Sequence, residues 1–85
     1  MNHEISQKLK AFIVEKFPVA RKREIRTDDH LLEKGILDSM GVLDVVGFIE
    51  EEFQITVVDE DLSPENFQSI DRLVLFIETK QQVSA

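Results

Sequence analysis

The sequence predicts an all-α fold, a small four-helix bundle of three longer helices and one short helix with a long first loop. Three observations carry this expectation. Apolar residues recur at helical spacing in three separate windows, and good helix-starting residues stand at the head of the later ones. The one β-like run, Ile55-Thr56-Val57-Val58, would be an isolated strand with no partner for its backbone groups.

In the first window Ile5, Leu9, Phe12, Ile13 and Phe17 fall on one stripe, so a helix is expected over about 4–17, with Pro18 as its stop. A long polar connection follows as far as Asp38, pinned by Ile25, Leu31, Leu32, Ile36 and Leu37. Its last part is a turn. Gly35 can take a positive φ, Ile36 and Leu37 are apolar anchors, and Asp38-Ser39 are two helix-starting residues in succession. The second helix is expected over about 39–53, with Val42, Val45, Val46, Ile49 and Phe53 facing the core. Gln54 leads into an extended piece over 55–58. Ser63-Pro64 pairs an N-cap with proline at the first helical position and opens a brief turn through Phe67. Ser69 caps the last helix, which buries Ile70, Leu73, Val74 and Ile77, carries Phe76 toward its edge, and frays over 81–85.

Eighty-five residues with 42% hydrophobic and 32% charged side chains fit one folded domain spanning 1–85, with an ordered core over about 4–80. No apolar run approaches the roughly 20 residues needed to span a bilayer, and the N-terminus is polar rather than signal-like, so no membrane insertion and a cytoplasmic location are expected. Cysteine is absent, which removes disulfides, thiolate metal sites and a thiol nucleophile of the chain's own. The net charge of −7 is divided unevenly: residues 1–26 hold seven Lys/Arg against three acids, and residues 27–85 three against fourteen. The acidic part repels nucleic acid and attracts basic protein surfaces. Arg21, Lys22, Arg23 and Arg26 form a basic cluster, but without interleaved aromatics it reads as a solvated loop rather than a nucleic-acid or membrane contact.

The side of the second helix away from its core face presents Ser39, Met40, Leu43, Asp44, Gly47, Glu50 and Glu51, a narrow apolar strip framed by carboxylates and beginning at a serine. With the run Leu31-Leu32-Glu33-Lys34-Gly35-Ile36-Leu37-Asp38-Ser39-Met40 before it, this resembles the acyl carrier protein family, whose signature is a Gly-x-x-Asp-Ser-Leu-type turn. The resemblance covers nearly the whole chain, from the first helix through Ile55-Thr56-Val57 and Asp59-Glu60-Asp61-Leu62 to the closing helix. Met40 stands where leucine is usual. Gly47 departs from the family's bulky apolar residue at its position.

The resemblance implies that Ser39, with its motif neighbour Asp38, is where a phosphopantetheinyl transferase attaches 4'-phosphopantetheine from coenzyme A, using a magnesium ion that belongs to the enzyme complex. It further implies partner contacts at Met40, Leu43, Asp44, Gly47, Glu50 and Glu51, and leaves Phe48 either lining an acyl cavity or packing. The function expected is that of a freestanding, monomeric carrier, itself not an enzyme. It would present thioester-bound acyl intermediates to acyl- or aminoacyl-loading and transferring enzymes of fatty acid, polyketide or related biosynthesis. The alternatives are a peptidyl or aminoacyl carrier of a nonribosomal-type pathway and an interaction module that keeps the fold without the arm. The acidic helix favours acyl cargo.

Read from the residues themselves, Ser39 lacks the partners of a hydrolase triad. A serine hydroxyl needs a base, and the two histidines, His3 in a terminus and His30 in the long loop, read as solvated side chains. Asp59, Glu60 and Asp61 lack the spacing and central glycine of a calcium loop and read as an extension of the acidic surface, so no metal site is expected.

Overall fold

The computed structural model describes residues 3–22 and 25–83, and among them the chain is all helical, with no strand. Helix α1 spans His3–Lys16, α2 Pro18–Lys22, α3 Ser39–Phe53 and α4 Ile70–Val83, with 3-10 turns at Asp59–Asp61 and Pro64–Phe67. These four helices form a small bundle.

Pro18 does more than stop the first helix. It opens α2 at the first helical position, where its missing N–H costs nothing, while the residue before it, Phe17, leaves the helical state. The connection to Asp38 is correspondingly shorter than the sequence suggests. Arg21 in α2 turns back on α1: its Nε donates to the Val14 carbonyl at 3.1 Å and its Nη2 to that of Glu15. A guanidinium thus satisfies carbonyls that the end of α1 leaves open, and its charge complements the negative end of that helix. The basic cluster is therefore not simply solvated. Arg26 lies 3.6 Å from Asp28. Arg23 is outside the described residues, as is the 84–85 part of the expected fray, and α4 continues through the rest of it.

α4 is the hub, with α1, α3 and the 64–67 turn packed against it. It contributes Ile70, Leu73, Val74, Phe76 and Ile77 to a buried cluster joined by Ile5, Leu9 and Ile13 of α1 and by Val45 and Ile49 of α3. Ser69 caps it, its Oγ accepting from Arg72 N at 3.2 Å. Phe12, Phe17 and Phe53 are only half-buried and meet at the α1–α3 seam. There Phe48 stacks on Phe12 with ring centres 4.2 Å apart, and Phe17 and Phe53 close edge-on at either end. Phe48 packs.

The extended piece over 55–58 solves its missing strand partner with side chains. The Glu50 carboxylate accepts from Val57 N at 2.9 Å, and that of Asp61 accepts from Val58 N at 3.1 Å. Asp61 also meets Lys80 of α4 at 2.5 Å, and the ammonium beside it holds its carboxyl below the usual carboxylate value, against the opposing effect of burial. Of the acidic triplet over 59–61, Asp61 is thus a tie between the 59–61 turn and α4. No group of three or more metal-ligating side chains occurs among the described residues. Nor is any helix there long and apolar enough to cross a membrane.

Candidate functional site

The approach to Ser39 is held from both sides. Two backbone hydrogen bonds, Leu31 N to the Gln68 carbonyl at 2.7 Å and Asp71 N to the Thr27 carbonyl at 3.0 Å, fasten the long connection to the start of α4. Leu31, Ile36 and Leu37 are buried beneath it. Gly35 sits at φ 74°, where a side chain is strained, and the amides of Ile36 and Leu37 both return to the Leu31 carbonyl. The chain then enters α3 through Asp38, an extended N-cap whose Oδ1 accepts from Gly41 N at 2.7 Å.

Ser39 is the first residue of α3 and is exposed. It lines an apolar cleft of about 330 Å³, with Leu32 on one side, Val42 and Leu43 on α3, and Leu62, Pro64 and Phe67 opposite. No carboxylate, imidazole or ammonium lines this cleft. His30 lines a neighbouring one, where its Nδ1 lies 3.0 Å from Gln68 Nε2 and 3.3 Å from the Glu33 carboxylate. His3 is exposed on the first turn of α1.

Along α3 most of the expected outer strip faces outward. Met40 and Leu43 are 71% and 56% exposed, and Asp44, Gly47 and Glu51 are exposed beside them. Glu50 is the exception. It is half-buried, and its carboxylate is committed to Val57 N, so it acts inside the fold. On the inner side Val45 and Ile49 are fully buried, while Val42, Val46 and Phe53 are partly so. Gly41 is buried too: a Cβ there would lie 3.0 Å from Phe17 Cε1. At Gly47 a Cβ would meet nothing within 4 Å.

The wall formed by Leu62, Pro64 and Phe67 is the part of the site that sequence reasoning missed. Its signal was faint but present, since the Ser63-Pro64 start fixes where Phe67 falls, and Phe67 is almost fully buried. Compared with known proteins, the chain matches no family model and no curated protein.

Proposed function

We propose that this chain is an acyl carrier protein, non-enzymatic itself, carrying a 4'-phosphopantetheine arm on Ser39. The observation that supports this most directly is an exposed serine on the first turn of a 15-residue helix, opening onto an apolar cleft. The residues suit the group. Unpaired N–H groups and the positive end of α3 favour a phosphodiester at that position, and Asp38 already uses its carboxylate to cap Gly41 N. When bound, the arm supplies the thiol that a cysteine-free chain lacks, on which acyl groups are held as thioesters.

The chain's own residues do the rest. Asp38 and Gly35 fix the entry of Ser39 into α3, and the cleft beside Ser39 shields an apolar group from water. Met40 and Leu43 offer uncovered apolar contacts to a phosphopantetheinyl transferase and to acyl-loading and transferring enzymes. Asp44 and Glu51 steer the basic rims of those enzymes, an effect that falls with added salt.

Incubation with coenzyme A, magnesium and a broad-specificity phosphopantetheinyl transferase is expected to add one arm, seen as a single step in intact mass. Ser39→Ala should abolish it. Addition persisting in that variant, or none to the native chain while a control carrier is modified, overturns the reading.

A further inference from the structure

Asp61 lines no part of the cleft at Ser39, yet two of the residues that do line it hang from Asp61. Its carbonyl accepts from Asn66 Nδ2 at 2.9 Å, while its carboxylate accepts from Val58 N at 3.1 Å and meets Lys80 Nζ at 2.5 Å. Leu62 follows Asp61 directly, Phe67 follows Asn66, and both line the cleft. Asp61 therefore gathers the two ends of the 58–66 loop and ties them to α4. The Lys80 ammonium approaches the same wall a second way: it lies 5.9 Å from the centre of the Phe76 ring, which is 6.3 Å from that of Phe67.

The two wall residues differ in what else holds them. Phe67 is 1% exposed and is fixed by the core around it. Leu62 is 38% exposed, so burial does little to fix it, and its amide bonds to the Asp59 carbonyl within its own turn. Its place is set by that turn, which α4 holds through Lys80 and Asp61. We infer that Asp61 and Lys80 are positioning residues for this cleft: their ion pair sets Leu62 at the rim and thereby governs how well an acyl group lying there is kept from water. The shielding role rests on the carrier reading above, whereas the placement of Leu62 does not. With side chains 21% and 24% exposed, the pair is only partly screened, and its loss should shift the balance between a closed and an open wall by about two- to fivefold.

The test uses Lys80→Gln, Asp61→Asn, whose amide oxygen can still accept from Val58 N, and Lys80→Arg, which keeps the charge. In the unmodified chain, methyl spectra of the first two are expected to shift Leu62 and leave Leu9, fully buried in α1, unmoved. Lys80→Arg should look native. After loading of Ser39 from octanoyl-coenzyme A by the same transferase, the half-life of the thioester in hydroxylamine should fall about two- to fivefold in Lys80→Gln and Asp61→Asn, no further in the double variant, and recover in Lys80→Arg. A pair that served global stability alone would leave this half-life unchanged, because the unfolded fraction stays small. Leu62 unmoved in both single variants, a shift that extends equally to Leu9, or an unchanged half-life overturns the inference and leaves the carrier reading standing. Failure of Ser39 to accept the octanoyl arm, while a control carrier does, overturns the carrier reading and the shielding role with it.

Discussion

Truncating Leu43 to alanine tests how α3 is rotated about its axis. Leu43 is 56% exposed, so less than half of the roughly 1.5–3 kcal/mol that full burial of such a side chain is worth remains to be lost, or about 1 kcal/mol. Alanine's higher helix propensity offsets a little of that. Leu73 is the internal standard. It is fully buried in α4, and its truncation should cost about 2–5 kcal/mol. Both variants are measured by urea denaturation followed in the far-ultraviolet, since a chain without tryptophan or tyrosine offers little fluorescence. A loading assay with coenzyme A and transferase is run on the same preparations. Leu43→Ala should remain nearly as stable as the native chain yet be loaded more slowly. A loss above about 2 kcal/mol would mean that Leu43 is core, and the outward strip from Ser39 would lose its basis.

Asp38→Ala removes the cap on Gly41 N and should cost about 1 kcal/mol, with Asp38→Asn restoring most of it in the same denaturation experiment. Gly47→Ala, placed in open space in mid-helix, should raise stability by about 1 kcal/mol, or roughly 4–8 °C in Tm; Gly41→Ala should show no such gain, because its new methyl meets the Phe17 ring. The Asp61 carboxyl is depressed in the folded state by Lys80, so its contribution is intact above the unfolded pKa of about 4 and is lost as pH falls through the lower folded value. Acid titrations of the native chain and Asp61→Asn should therefore differ in slope below about pH 4 and run parallel at neutral pH.

How much of this was legible in the sequence depends on whether the deciding contact is local. The bounds of α3 were, because both ends are settled within a few residues: Asp38 caps the start, and Gln54 closes the end at φ 56°. The same holds for the turn opened by Ser63-Pro64, where Ser63 Oγ accepts from Glu65 N at 3.3 Å. Pro18 misled because a proline that ends one helix can also begin the next, and only the closing contacts of Arg21 and the burial of Ala20 decide between these. Glu50 misled for a similar reason. Helical projection gives a direction from the axis, but not that the chain returns with Val57 N to meet the carboxylate. The cleft joins Leu32 and Ser39 to residues 62–67, and no local pattern encodes which loop closes over which helix.

Because α1, α3 and the 64–67 turn all rest on α4, the element made last among them, folding cannot be completed piecemeal as the chain is synthesised. Until Ile70 to Ile77 have emerged, Ile5, Leu9 and Ile13 of α1 lack the α4 side of their buried cluster, and isolated helices of 14 or 15 residues are marginal in water. Phe67, whose turn packs on α4, has no seat before then, so the cleft beside Ser39 takes shape only with the last helix. On the carrier reading proposed above, a modifying enzyme that reads the folded surface would meet Ser39 only after synthesis of the domain, and half-made chains would stay unmodified.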